Sequence, residues 1–352
     1  MTEPSAPPPG FTRSVLLAVG IGAAVLIAIL LVQQIADVLS MFFGAILVAV
    51  LLDAPARMLE SRVRVPHPLG VCLVTAASAG VVLLLGWLGE PQVAAQLDSL
   101  VDRLPGAWRS LKDAVEETPW GRTLLREADQ VQQPFVSPSA WIQRIGGVFS
   151  GTLGAITNTA VMLVVGFYLA FQPGLYTSGI VRLVPPSRRN RAREVLGAVG
   201  RALRWWLVGR LISMASIGVL TTLALWMIDM PLALGLGFVA GLFSFVPFIG
   251  PIVSAIPAVL LALPQGPLQV VSVIVIYAAA QFIEGNIVTP ITQERVVALA
   301  PAVLLLSQVL IGSMFGIMGL LLATPLAVVL IVLVQMLYIE DTLRDRIHVL
   351  GE

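Results

Sequence analysis

Long apolar stretches separated by short polar segments recur along the whole chain. About 20 apolar residues, each rising about 1.5 Å in a helix, cross a hydrocarbon core of about 30 Å. The pattern therefore predicts membrane-spanning helices over residues 14–36, 38–52, 69–89, 147–171 and 211–228. Two further apolar stretches, 230–283 and 296–339, are too long for one straight helix each, so each either crosses the membrane with a break or folds back as a hairpin.

The composition agrees with this pattern. Hydrophobic residues make up 57% of the 352 residues and charged residues only 12%, and the mean hydropathy is +0.93. In soluble domains about a quarter of all residues are charged. We therefore expect an all-α, polytopic protein of the lipid bilayer with about eight transmembrane helices, some broken or re-entrant, and a small external amphipathic helical region.

The arginines set the expected orientation. Seven basic residues and one acidic residue occur in 173–204, whereas 90–144 contains six basic and eight acidic residues. Because basic loops stay in the cytoplasm, both termini are expected there. The resulting division is a disordered tail (1–13), three spans (14–89), an external region (90–146), a fourth span (147–172), a basic cytoplasmic loop (173–204), a membrane core with broken helices (205–338) and a cytoplasmic tail (339–352).

Within the external region, two segments repeat apolar residues at helical spacing and are interrupted by prolines. They predict amphipathic helices. Such helices either form a gate or a partner-binding cap, or lie on the membrane surface or between subunits.

Familiar catalytic sites are missing from the sequence. Its two histidines allow no zinc-binding HExxH helix, and the only lysine, Lys112, follows no glycine-rich phosphate loop. Neither histidine falls within a predicted span, where it could activate a serine. We expect no enzyme, no cofactor, no metal and, at a net charge of +1, no nucleic-acid partner.

The motif GLFSFVPFIGP places Pro247, Gly250 and Pro251 in the middle of an apolar stretch. A break at membrane depth is tolerated only where protein or a hydrated cavity satisfies the freed backbone groups. A similar segment, GLLLATPL, places Pro325 six residues after a glycine. Paired breaks of this kind indicate a midplane site in secondary transporters. Glycine pairs such as Gly237 with Gly241 and Gly312 with Gly316 favour close helix packing.

Polar residues in the apolar core form a second signal. In QFIEGNIVTP, Gln281 and Glu284 share a helix face, Asn286 lies to the side and Pro290 ends the span. A carboxylate at membrane depth is a candidate functional group, and Arg210 is its candidate counter-charge. Alternatively, Glu284 is solvated near a membrane surface and Arg210 extends to the headgroups.

Three runs of sequence resemble the AI-2E transporter family: RALRWWLVGRLISM, GLFSFVPFIGPIVSAIPAVLLAL and the segment from QFIEGNIVTP to GLLLATPLAVVL. The resemblance implies a bacterial inner-membrane protein with eight crossings and a homopentameric assembly. It also implies export of autoinducer-2 or, for some members, sodium(lithium)/proton antiport. This chain has Ser244 where many members have glutamate, and Arg210 where many have glutamine.

We therefore expect export of a small polar metabolite or signal, along a path with Glu284, Gln281, Asn286 and Ser244 as polar contacts. A cation/proton antiporter, a channel on an oligomer axis and a membrane scaffold whose outer helices bind a partner are the alternatives.

Overall fold

A computed structural model describes residues 38–89, 153–290 and 300–343, with a few single positions between 95 and 116. The expected N-terminal tail and first span, nearly all of the external region and most of the C-terminal tail lie outside the described residues. The described part is helical and contains no strand, which confirms the all-α prediction. Its helices are α1 (Val38–Val63), α2 (His67–Gly89), α3 (Leu153–Phe171), α4 (Pro173–Arg182), α5 (Arg189–Met227), α6 (Ala233–Phe243), α7 (Ile249–Ala262), α8 (Pro267–Ile283) and α9 (Pro301–Leu333).

Length and composition qualify four of the described helical segments as membrane spans. A fifth span results if α3 and α4, which meet at an 83° bend, are counted as one broken span. The polytopic prediction is thereby confirmed. The expected total of eight crossings includes residues outside the described part.

Helices α1, α2 and α3 pack together around small side chains. Ala56, Val71 and Ala170, one from each helix, form part of a shared buried cluster. A β-carbon added at Gly166 of α3 would collide with Val48 of α1, so the close approach of these two helices requires a glycine there.

The basic segment 173–204 is helical over most of its length, because it comprises α4, a turn and the start of α5. Helix α5 has 39 residues and is about 58 Å long, well beyond the hydrocarbon core of about 30 Å. At its N-terminal end, Arg191 contacts Glu340 at 2.7 Å and Asp341 at 2.9 Å. We call this end of the molecule the basic end.

Helices α6 and α7 form a hairpin, which we call hairpin 1. They have 11 and 14 residues, or about 16 and 21 Å, so neither crosses a core of about 30 Å. Leu236 near the start of α6 packs in one cluster with Leu260 and Leu261 near the end of α7. The stretch 230–283 therefore folds back before α8 begins.

Helix α9 also folds back, and we call it hairpin 2. Gly316 has φ 63° and ψ −144°, which divides the helix into two arms. Gln308 Nε2 lies 3.4 Å from Thr324 Oγ1, although these residues would be about 24 Å apart in a straight helix. The break expected at Pro325 is wrong: this proline lies inside the returning arm. Proline keeps a helical φ and removes one hydrogen bond, whereas the backbone of Gly316 is one that glycine adopts readily.

The two hairpins enter from opposite ends of the molecule. The open end of hairpin 1 lies at the C-terminal end of α5, where Gln269 Nε2 donates to the carbonyl of Ile228 at 3.0 Å. In hairpin 2, Val328 and Val332 pack against Val195 and Ala198, close to the basic end. The tips of both hairpins therefore point into the interior of the described helical bundle.

Candidate functional site

The tip of hairpin 1 is the break between α6 and α7, residues 244–248, and two buried side chains donate hydrogen bonds to carbonyl groups within it. Arg210 Nε donates to the carbonyl of Phe245 at 3.1 Å, and Gln308 Nε2 donates to that of Pro247 at 3.0 Å. An unpaired carbonyl in lipid costs several kcal/mol. Protein groups therefore make the break tolerable, as the sequence analysis required.

Gly250 and Pro251 lie in the first turn of α7, just after this break. A β-carbon at Gly250 would collide with the carbonyl of Phe243. Proline is favourable in the first turn of a helix, where its missing N–H has no partner to lose. Gly250 therefore allows α7 to fold tightly onto the end of α6.

Arg210 and Glu284 form a buried ion pair. The guanidinium of Arg210 on α5 lies 3.3 Å from Glu284 Oε1, and the two side chains are 6% and 9% exposed. Both charges are therefore shielded by surrounding protein, rather than solvated at a surface.

Glu284 has further hydrogen-bond partners. Gln281 Nε2 donates to its Oε2 at 2.9 Å, and Thr289 Oγ1 donates to its Oε1 at 3.4 Å. Glu284 begins a π-helical turn, Glu284–Val288, which follows α8. Such turns often occur at functional sites.

The structure brings together some predicted site residues and separates others. Ser244 is buried at the break and donates to the carbonyl of Gly241 at 2.7 Å. Asn286 is exposed and donates to the carbonyl of Phe282. Pro290 is exposed at the end of a described range. The cluster thus contains Arg210, Gln281 and Glu284, but not Asn286 or Pro290. Ser244 precedes Phe245, whose carbonyl Arg210 binds, and its own hydroxyl faces Gly241.

Gln308, which was not predicted as a site residue, is fully buried and links the two hairpins. Its Oε1 has no hydrogen-bond partner in the described part of the chain. The hydroxyl groups of Ser213, Thr221 and Tyr277 are also buried there without a partner. The available signal was that Gln308 is one of few polar side chains in an apolar stretch.

Metal chemistry finds no support among the described residues, where no three His, Cys, Asp or Glu side chains come together. The polar groups around the break of hairpin 1 are hydrogen-bond donors, acceptors and one ion pair, which can hydrogen-bond a polar solute.

Comparison with known proteins gives one family. The family model described as AI-2E family transporter matches residues 16–339. The AI-2 transport protein TqsA of Escherichia coli is 26% identical over 307 residues, 84% of each chain. A putative transport protein of Synechocystis, sll0060, is 25% identical over 88% of each chain. The putative transport protein YrrI of Bacillus subtilis is 29% identical over 52% of this chain and 54% of its own length.

Proposed function

The chain belongs to the AI-2E transporter family, and we propose that it exports a small polar metabolite or signal through a path at the meeting point of hairpins 1 and 2. Autoinducer-2 is the first candidate, since the relative TqsA is named an AI-2 transport protein. The family and the apolar helices make the chain a multi-pass membrane protein of a transport family. We propose in addition which solute it carries, in which direction, and along which path.

The main support for this proposal is the hydrogen bond between the two hairpins. Gln308 of hairpin 2 donates to Pro247 at the tip of hairpin 1, so the break of hairpin 1 is bonded to the first arm of hairpin 2, eight residues before the turn at Gly316. In secondary transporters, discontinuous helices form the substrate site near the midplane. A single neutral hydrogen bond contributes about 1 kcal/mol, so movement of one hairpin against the other breaks it readily.

Buried, unpaired hydroxyl groups on α5 and α8 supply the polar surface that a solute needs. Ser213 and Thr221 lie on the same face of α5 as Ile217, which packs beside Tyr277 of α8. Buried hydroxyl groups are usually satisfied by protein or by ordered water. In our proposal, water or solute hydroxyl groups pair with them during transport.

Orientation and assembly belong to the same proposal. We place the basic end in the cytoplasm of a bacterial inner membrane because of its arginines, so that both termini are cytoplasmic. By analogy with the family, the protein assembles as a homopentamer.

A sodium(lithium)/proton antiporter is the second candidate, supported by the buried carboxylate of Glu284. Against it, this carboxylate is engaged by Arg210, and position 244 carries a serine rather than an acidic residue. A scaffold that does not transport would use both breaks only as packing devices.

Liposomes loaded with autoinducer-2 separate these functions. The purified protein should release the solute faster than protein-free liposomes do, and Gln308→Leu should abolish this release. Ser313→Ala is the matched control, because Ser313 is exposed on hairpin 2 and bonds only its own helix, at Leu310. Proton movement on addition of sodium or lithium, without release of autoinducer-2, would instead identify the antiporter. No flux in either assay would favour the scaffold.

A further inference from the structure

A groove between α1 and α5 lies apart from the hairpin tips. Seven apolar side chains line it, namely Val50, Leu51, Ala54, Pro55 and Met58 of α1 with Leu207 and Val208 of α5. Arg204 lines the same groove. An apolar cleft with one guanidinium group matches an amphiphile that has an acyl chain and an anionic headgroup.

The charge around Arg204 is positive. Arg204 and Arg57 contact the same carboxylate oxygen of Asp53, at 2.9 and 2.6 Å. Both guanidinium groups keep exposed surface, with side-chain exposures of 32% and 51%. Glu60 lies on the far side of His67, 3.4 Å from its Nδ1, and the chain continues with two more arginines, Arg62 and Arg64. The Asp53 carboxylate is therefore the shared counter-charge of Arg57 and Arg204, which leaves a net positive charge at the groove.

The depth of Arg204 agrees with that of a lipid headgroup. From Arg204 to Met227, α5 is about 35 Å long, slightly more than a hydrocarbon core of about 30 Å. Arg204 therefore lies at the headgroup level at the basic end. Val208 lies one turn farther along α5, toward the hydrocarbon layer.

We infer that this groove binds one anionic phospholipid from the leaflet at the basic end. Its phosphate pairs with Arg204 and Arg57, since guanidinium groups bind phosphate through paired hydrogen bonds. One acyl chain lies along Ala54, Leu207 and Val208. A zwitterionic lipid fits less well, because its own cation faces the same arginines. This site does not depend on the proposed transport, because it uses none of the residues at the hairpin tips.

Native mass spectrometry of the full chain in mild detergent tests the inference, with phosphatidylglycerol or phosphatidylcholine added. The unmodified protein should retain one phosphatidylglycerol per chain and release phosphatidylcholine. Arg204→Gln and Ala54→Phe should each weaken retention about fivefold or more, which corresponds to the effect of about one basic residue at an anionic surface.

Two matched variants control for charge and for bulk. Arg62→Gln removes an exposed arginine of α1, and Leu39→Phe enlarges an exposed side chain of α1 outside the groove. Both should retain the lipid. Equal retention of the two lipids, or unchanged retention in both Arg204→Gln and Ala54→Phe, would overturn the site. A change of subunit number in Ala54→Phe with unchanged lipid retention would also overturn it, since the groove would then be a contact between copies of the chain.

Discussion

Arg210 and Glu284 depend on each other, because each would otherwise be an unpaired charge inside the membrane core. Glu284→Gln leaves the guanidinium group without its counter-charge, and Arg210→Gln does the same to the carboxylate. Each single variant should lose about 3–5 kcal/mol of stability. The double variant should recover part of that loss, because no charge then remains buried.

Thermal unfolding in detergent measures this coupling. Arg193→Gln is the control, since Arg193 is exposed on the same helix and contacts Asn190. It should unfold like the unmodified protein. If both single variants were as stable as this control, the ion pair would have no structural role.

The sequence allowed prediction of the ion pair but not of Gln308. Arg210 and Glu284 are charges in apolar stretches, and a buried charge needs a partner. Gln308 is neutral, so it makes no such demand. Its partner is the backbone oxygen of Pro247, 61 residues away, which a side chain from another helix can reach because hairpin 1 breaks there. No local pattern carries that information.

Gly250 determines how closely α7 folds onto α6. A β-carbon in Gly250→Ala would collide with the backbone of Phe243, and the backbone can yield only by opening the hairpin. We expect a stability loss of at least about 2 kcal/mol, similar to that of other overpacked sites. The melting temperature in detergent should fall accordingly.

Gly179→Ala is the matched control for Gly250→Ala. Gly179 lies within α4, and a β-carbon there has no neighbour within 4 Å. Alanine is the better helix former by about 1 kcal/mol, so the control should be as stable as the unmodified protein or more stable. Equal melting temperatures for the two variants would show that α7 does not pack so closely on Phe243 that a β-carbon at residue 250 is excluded.

Gly316 forms the turn of hairpin 2 through its backbone conformation. Gly316→Ala places a side chain at φ 63°, ψ −144°, a strained conformation that costs about 1–3 kcal/mol. Gly312→Ala is the control, because its β-carbon would meet Leu320 at 3.5 Å, an ordinary contact. Thermal unfolding should separate the two variants. A Gly316→Ala protein as stable as Gly312→Ala would contradict the turn.

At the scale of elements, the prolines of hairpin 1 gave a correct prediction of its break, whereas Pro325 did not predict that of hairpin 2. A single proline is compatible with a helix when neighbouring groups satisfy the freed carbonyl. Glycine spacing was also ambiguous. Gly237 and Gly241 pack against α5 as expected, but Gly316, interpreted as a packing residue, forms the turn. Spacing alone does not reveal backbone conformation.

At the scale of the whole molecule, the orientation that we propose from its arginines can be tested by cysteine labelling. The free thiol of Cys72 is exposed, so it is first removed as Cys72→Ala. Asp113→Cys should then react with an impermeant maleimide in intact cells, and Arg189→Cys should react only after the cells are broken. The opposite pattern would reverse the orientation, and with it the proposal of export.

A path where hairpins 1 and 2 meet is the central claim for the whole molecule, and Ser244→Cys in the Cys72→Ala background tests it most directly. The change is nearly isosteric at a buried position of the break. We predict that a small, charged methanethiosulfonate reagent stops autoinducer-2 release from liposomes that contain this variant. The same reagent should not affect Val161→Cys, at an exposed position of α3. Undiminished release with an unlabelled Ser244→Cys thiol during transport would show that the hairpin tips stay sealed, and would contradict the account.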